Sequence, residues 1–254
     1  MECIMTEVAP QANLDEIKRF IECITEGWQD LDKPVMLELR ALNEGVTPQH
    51  AKYTLDWIDE AVHWAQQMNA LGRNIYMCIN PVDAQSGSGA ATDKDIVAAF
   101  WQFADADTDG AMQNILSFAG PKFTMSVKTG QTPFLRGHAY WRLEEPCVNL
   151  DAWSGVQRGI AASLKTDRVV FNPSRIMRVA GTVSWPSEKK RAKGYIAELV
   201  AMRTEFTTDR DPVPFERMMR AFPAPANDAP APPAEGGFQI DLGKEAMDRA
   251  LAEQ

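Results

Sequence analysis

Apolar residues spaced three or four positions apart, the period of one face of an α-helix, mark several segments of the chain. This spacing predicts an N-terminal amphipathic helix over residues 13–30 and another helix over 150–164. A Thr-Pro pair favours the start of a helix, so a long helix is predicted from residue 47 to about 71, where a glycine follows it. A short helix over 109–119 completes the predicted helices.

Alternation of apolar and polar residues, together with short continuous apolar runs, predicts the strands. They fall at 35–42, 74–80, 100–106, 123–128, 137–143, 168–171, 176–180 and 194–200. Residues 84–91 are small and polar and predict a loop. Because strands and helices alternate along the chain, the sequence predicts a mixed α/β fold.

The composition divides the 254 residues into four regions. Residues 1–32 are predicted to form a helical extension, and 33–222 are long enough for one domain with a substantial core. Residues 223–237 are rich in proline and alanine, which favours a semi-rigid linker. The apolar positions of the acidic tail, 238–254, permit a short helix. A linker and tail of this kind suit attachment to a partner protein.

The net charge of −9 is unevenly distributed. Residues 1–32 carry a net charge of −6 and residues 223–254 a net charge of −4, which leaves +1 for the residues between them. Within 165–193, eight basic residues accompany two acidic ones. Such a stretch is typical of a wall that binds phosphate groups, although a solvated loop and strand edge would have the same composition.

The sequence also disfavours several classes of protein. No apolar run reaches the roughly 18 residues of a membrane-spanning helix, and acidic residues come early where a signal peptide would be basic and then apolar. We therefore expect a cytoplasmic protein with no membrane partner. The four cysteines are scattered without a C-x-x-C pair, so no zinc is expected and buried free thiols are predicted. No P-loop motif is present, so a helicase acting with this chain would be a separate protein or lie beyond these residues.

An Asp-x-Asp pair, Asp105 and Asp107, ends the apolar strand predicted at 100–106. Residues two apart on a strand point to the same face, so both carboxylates project together and favour Mg²⁺ or Mn²⁺. An EF-hand loop is disfavoured because its twelfth position is Leu116, and a phosphatase Asp-x-Asp-x-Thr motif because Asp109 stands fifth. A solvent-exposed acidic turn would have the same local sequence.

His138 lies in R-G-H-A-Y-W-R-L, an alternating segment at 136–143 that predicts a strand with one face toward the core. A single histidine on a strand is often structural. Here a Gly/Pro-containing loop precedes it and the carboxylate pair lies about 30 residues upstream. A hydrogen bond from His138 to a triphosphate oxygen is therefore predicted, with help from Lys128, Thr129 and Arg136.

A third carboxylate, Asp167, stands near the start of T-D-R-V-V-F-N-P-S-R-I-M-R-V-A-G-T at 166–182. Two divalent ions need more negative charge than two aspartates supply, although Asp167 alone is as readily interpreted as a turn residue. Arg175 and Arg178 are three positions apart, so on a strand over 176–180 only one of them is expected to point inward.

Taken in order, A-D-A-D, G-H-A-Y-W and the segment from Asp167 to Thr182 resemble the three motifs of the archaeo-eukaryotic primase superfamily. The similarity covers roughly 33–200 and is greatest to the primase-polymerase branch of phages, plasmids and mobile elements. It implies an N-terminal αβ unit packed on an RRM-like sheet, with the active site in the cleft between them. The residues implied to bind two Mg²⁺ or Mn²⁺ ions are Asp105, Asp107 and Asp167. Those implied to bind the nucleotide are His138, Arg178 and Arg175, and Lys128 is added to this set by its position near His138 rather than by the resemblance.

The expected function is template-directed nucleotidyl transfer in the replication of a phage or mobile element. A DNA primase or polymerase of this kind would make primers from NTPs or dNTPs on single-stranded DNA, and the tail would suit a separate replicative helicase or replication protein as its partner. An alternative is a non-catalytic replication initiator or strand-binding module, in which the basic stretch and Trp141, Trp153 and Trp185 bind DNA by charge and stacking. A metal-dependent nuclease or nucleotide sensor is a third interpretation.

Overall fold

Two β-sheets form the framework of the protein in a computed structural model that describes residues 10–203 and 211–225. The strands of the first sheet are β1 (Val35–Asn43), β2 (Val46–Tyr53), β3 (Asn74–Cys78), β4 (Val82–Asp83) and β8 (Ile176–Arg178). Their order is β2-β1-β3-β8, with β4 also paired to β1, and every pairing is antiparallel. The sheet thus joins the first third of the chain to a short strand from the basic stretch.

The second sheet is built from later segments. Its strands are β5 (Ala99–Ala106), β6 (Met125–Gly130), β7 (Arg136–Cys147) and β11 (Ala201–Arg203), in the order β11-β6-β7-β5. A separate short pair joins β9 (Val183–Ser184) to β10 (Glu198–Leu199). The helices are α1 (Leu14–Thr25), α2 (Ile58–Ala70), α3 (Ala111–Ser117), α4 (Leu150–Leu164), α5 (Glu188–Ala192) and α6 (Phe215–Ala221).

Helix α1 contributes to one apolar core shared with both sheets. Asn13 caps its start by accepting a hydrogen bond from the Glu16 N–H at 3.1 Å. The face of α1 that packs against the core is fully buried and consists of Ile17, Phe20, Ile21 and Ile24. The predicted N-terminal helix is confirmed, but it ends at Thr25 because Gly27 adopts a φ of 82°, which turns the chain out of the helix.

The long helix predicted from residue 47 is wrong over its first third. Residues 46–53 form β2, an edge strand that reaches β1 through a turn at Gly45, whose φ is 73°. Pro48 is accommodated there because an edge strand leaves one row of N–H groups unpaired. The exposed side chains of β2 give no apolar alternation, so only the helical part, α2, has a visible period.

The other predictions divide by the length of the element. The strands at 35–42 and 100–106 and the helix at 150–164 are confirmed within one or two residues. The strand predicted at 168–171 is instead a turn, the one at 194–200 shrinks to β10, and α5 lies unpredicted inside the basic stretch. Cys78 and Cys147 are buried free thiols, as predicted, whereas Cys23 is free but only partly buried and Cys3 lies outside the described residues. No helix within 10–203 or 211–225 is long and apolar enough to span a membrane.

Candidate active site

Strand register brings Asp105 and His138 together. Their Cα atoms are partners across β5 and β7, and in an antiparallel pair such residues share a face. The His138 Nε2 lies 3.7 Å from the Asp105 Oδ1, with 5% and 24% of the two side chains exposed. On the other side of β7, Gly137 allows β6 to approach closely, since a Cβ there would lie 2.7 Å from the Val127 carbonyl oxygen. The two residues are thus adjacent because the strands pair in this register.

The edge of β5 that does not pair with β7 makes hydrogen bonds to α4 and to the residues after it. These bonds determine where Asp167 lies. The Trp153 indole donates to the Trp101 carbonyl at 2.9 Å. The Gln157 amide both donates to the Phe103 carbonyl at 3.1 Å and accepts from the Phe103 N–H at 2.9 Å. The next carbonyl on that edge, of Asp105, accepts the Asp167 N–H at 3.0 Å. One turn of α4 advances about as far as two strand residues. Side chains one turn apart on α4 therefore face backbone groups two residues apart on β5.

Asp167 opens a turn whose geometry explains the missing strand. Its Oδ1 accepts the Val169 N–H at 3.0 Å, an Asx-turn that competes with extended backbone. The surroundings of the neighbouring Asp105 carboxyl disfavour its ionised form. Burial first, then the nearby Asp107 and Asp167 carboxylates, hold the pKa of Asp105 well above its ordinary value. The three predicted carboxylates therefore lie within electrostatic reach of one another.

This donor set fits a hard divalent cation, because added positive charge would relieve the repulsion that raises the pKa of Asp105. Within the described residues, however, no group of three or more His, Cys, Asp or Glu side chains is arranged to hold a metal ion. Asp107, just beyond β5, has 44% of its side chain exposed. The three aspartates thus approach one another as charges, without forming a finished ligand shell.

Arg178 approaches Asp105 and His138 from the first sheet. Its Nη1 donates to the Asn74 Oδ1 at 2.6 Å and its Nη2 to the Tyr76 hydroxyl at 2.9 Å, and its guanidinium lies 4.8 Å from the centre of the Tyr76 ring. Register supports this clamp, since Tyr76 and Arg178 are Cα partners across β3 and β8. Tyr76 and Asn74 were not singled out in the sequence, where they are unremarkable positions of a predicted strand.

His138 is electrically neutral at physiological pH. Burial, and next the positive charge of Arg178, lower its pKa to about 3. The Nδ1 lies 3.1 Å from the Tyr140 hydroxyl, which orients the ring and leaves the Nε2 toward Asp105. Arg178 from one sheet and His138 from the other thus border the carboxylates.

Arg175 and Lys128, the other two residues predicted to bind the nucleotide, have different surroundings from His138 and Arg178. Arg175 donates to the Val169 carbonyl and so pins the turn that carries Asp167, while its Nε is buried without a partner. Burial lowers the pKa of Arg175, and Asp167 and Asp105 oppose that shift, so its charge still faces the carboxylates. Lys128 follows Val127, the Cα partner of His138, and strand alternation directs it to the opposite face. The structure therefore does not bring Lys128 together with His138.

Arg136, which was predicted to assist His138, makes its contacts with other parts of the protein instead. Its guanidinium pairs with Glu198 at 3.0 Å, donates to the Thr132 carbonyl at 2.6 Å and lies 4.3 Å from the centre of the Tyr195 ring. Only 4% of Arg136 is exposed, so the cation secures the loop before β7. Two of the three tryptophans considered for strand binding are also in the core: Trp141 is 1% exposed and Trp153 is fully buried.

The architecture, two antiparallel sheets with helices packed against them, is the fold of archaeo-eukaryotic primase-polymerase domains. The fold implied by the sequence resemblance is confirmed. The chain is similar to the AEP domain of the cyanophage S-2L primase-polymerase, with a TM-score of 0.58 and 19% identity over 84% of this chain and 100% of that one.

Two structures of the primase RepB' have the same fold. One matches with a TM-score of 0.56 and 13% identity, covering 94% of this chain and 67% of that one. The other is the RepB' catalytic domain in complex with initiator DNA, with a TM-score of 0.54 and 13% identity over 82% of this chain and 92% of that one. No protein-family model and no curated protein matches the sequence.

Proposed function

We propose that this protein is a DNA primase or primase-polymerase that joins nucleoside triphosphates on a single-stranded DNA template. The observation that carries the proposal is the convergence of Asp105, Asp107 and Asp167 with His138 and Arg178 between two sheets of a primase-polymerase fold. The similarity to a primase structure in complex with initiator DNA supports DNA as the partner.

The side chains divide the task by charge. The carboxylates supply the oxygen ligands for Mg²⁺ or Mn²⁺, which when bound would neutralise developing charge on the phosphates. Arg178 offers guanidinium N–H groups for phosphate oxygens and is already oriented by Asn74 and Tyr76. Neutral His138 is able to donate one hydrogen bond without adding charge. Together these groups favour a position of the triphosphate in which its α-phosphate is in line with the attacking 3′-hydroxyl.

The decisive experiment is extension of an unprimed single-stranded DNA template with labelled NTPs or dNTPs, in Mg²⁺ or Mn²⁺. Wild-type protein is compared with Asp105→Ala and Asp107→Ala, and with Asp109→Ala as a matched control on an exposed neighbouring aspartate. We expect products from wild type and the control only. Near wild-type synthesis by either test variant would overturn the assignment.

The form of the product refines the activity. Products from an unprimed template identify a primase, and their sugar identifies the preferred nucleotide. Products that require a supplied primer identify a polymerase without priming activity. Metal-dependent triphosphate binding without product would favour an initiator or nucleotide sensor.

The strand-binding alternative has lost part of its support. Trp141 and Trp153 donate their indole N–H groups to the Pro121 and Trp101 carbonyls in the core, so neither ring is available to stack on a base. Binding of a helicase or replication protein by 238–254 stays a prediction, because the tail lies outside the described residues.

A further inference from the structure

Helix α5 places one lysine of the basic stretch against the carboxylates. The Lys190 Nζ lies 3.6 Å from the Asp107 Oδ2, and both side chains are partly exposed, at 31% and 44%. The positive charge of Lys190 also opposes the upward shift in the pKa of Asp105. No other basic residue of α5 has a described ion pair with an aspartate of the site.

The position of Lys190 is built by its surroundings. Ser187 caps α5 by accepting the Lys190 N–H at 3.3 Å, which fixes where the side chain leaves the helix. The ammonium lies 5.5 Å from the centre of the Tyr195 ring, and Phe134 packs edge-on against that ring. An aromatic ring and a carboxylate thus hold the ammonium beside Asp107.

Asp107 cannot serve this ammonium and a divalent cation equally well. A metal ion on the same carboxylate would repel a lysine held 3.6 Å from it. A lysine is a compact charge on a flexible four-carbon stem, so it changes partners with little movement of the backbone. Phosphate oxygens are the natural next partner of a displaced ammonium.

We propose that Lys190 is a nucleotide-binding residue that exchanges partners, from Asp107 in the free protein to the triphosphate when a divalent cation takes Asp107. The inference rests on the proposed function and adds a residue to its site. It predicts that removal of Lys190 changes two affinities in opposite directions. Without Lys190, a divalent cation should bind more tightly, because a competing positive charge is gone, and a triphosphate should bind more weakly, because a ligand is gone.

The test uses the full chain and the variants Lys190→Met, Lys190→Arg and Lys189→Met. Lys189 is a matched control, since it lies on the same exposed helix and its loss changes the net charge equally. Mn²⁺ affinity is measured by electron paramagnetic resonance without nucleotide. The affinity for a non-hydrolysable dNTP analogue is measured by calorimetry in saturating Mn²⁺.

Relative to Lys189→Met, we expect Lys190→Met to bind Mn²⁺ about fivefold more tightly and the analogue about tenfold more weakly. Lys190→Arg should recover most of the analogue affinity because it keeps the charge. If Lys190→Met matches Lys189→Met in both measurements, or loses both affinities together, the partner exchange is wrong. If wild-type protein binds neither Mn²⁺ nor the analogue, the proposed function fails along with it.

Discussion

The acidic and basic walls of the candidate site are built in different ways. Asp105 lies within β5, a strand of eight residues, and Asp167 is joined to it by a backbone hydrogen bond. The cations come from much shorter elements, Arg178 from a strand of three residues and Lys190 from a helix of five. Backbone geometry therefore fixes Asp105 and Asp167, whereas side-chain partners place the cations.

The two cations also differ from each other. Arg178 has hydrogen bonds to two side chains of the first sheet, Asn74 and Tyr76. Lys190 has its ion pair with Asp107 and a more distant aromatic ring. We conclude that Arg178 is preorganised for an anion, while Lys190 is free to exchange one anionic partner for another.

The largest effect should follow from Asp105→Asn, which removes a charge from the fixed wall. We expect synthesis to fall by roughly a thousandfold or more, because a neutral amide supports neither a metal ion nor charge balance. Primer synthesis per unit time is the measurement. Asp109→Asn is the matched control, and equal losses in both variants would contradict the assignment.

The same variant should be more stable than wild type, by on the order of 1 kcal/mol at neutral pH. The raised pKa of Asp105 means that the fold disfavours the carboxylate, so the cost is absent below the ordinary pKa of 3.8, grows as pH rises from there to the folded pKa, and stays constant above it. Thermal unfolding from pH 4 to 8 tests this. A stability difference that shrinks with rising pH would contradict it.

Arg178→Ala attacks the preorganised cation and should lower kcat/KM for the incoming nucleotide by about 10²- to 10³-fold. Arg178→Lys should lie between this variant and wild type, since it keeps the charge and loses the planar fork. Single-nucleotide extension across a range of nucleotide concentrations gives the values. Full activity in Arg178→Lys would show that orientation by Asn74 and Tyr76 is unimportant.

Tyr76→Phe tests the orientation itself while leaving every charge in place. Loss of the hydroxyl that accepts from Arg178 should reduce kcat/KM about tenfold, the effect of one hydrogen bond to a charged group. Tyr53→Phe on the edge strand of the same sheet is the control and should match wild type. A similar fall in both variants would point to the sheet instead of the clamp.

Lys128→Ala should have the smallest effect, within about twofold of wild type, as expected of a surface change away from the site. The register of β6 and β7 places Lys128 on the face opposite His138. The same extension assay applies. A loss as large as that of Arg178→Ala would mean that Lys128 contacts the nucleotide despite that register.

The sequence predicted the elements that have a regular apolar period or a continuous apolar run. Helix α4 matched because an asparagine cap starts it and its apolar face is regular. Strand β2 was missed because its outer face and edge are exposed, so polar residues follow no apolar period. The run V-V-F at 169–171 suggested a strand, but the Asp167 side chain holds the backbone of Val169 in a turn.

The candidate site shows the same division. Asp105, Asp107, Asp167 and His138 were predicted from residue type, strand spacing and the order of three motifs, all of which can be read from the sequence alone. Tyr76 and Lys190 were not singled out, since their roles depend on contacts between residues more than 80 positions apart. Trp153 was interpreted as a base-stacking residue because a sequence does not reveal that its indole ends on a strand edge.

That capped edge also bears on self-association. Strand β5 reads A-F-W-Q-F-A-D-A, and an apolar strand with a bare edge is a template on which another chain can add a strand. The indole of Trp153, the amide of Gln157 and the backbone of Asp167 occupy the carbonyl groups that such a strand would need. The groups that place Asp167 beside Asp105 thereby also leave fewer backbone groups on the edge of β5 for a strand from a second copy of the chain.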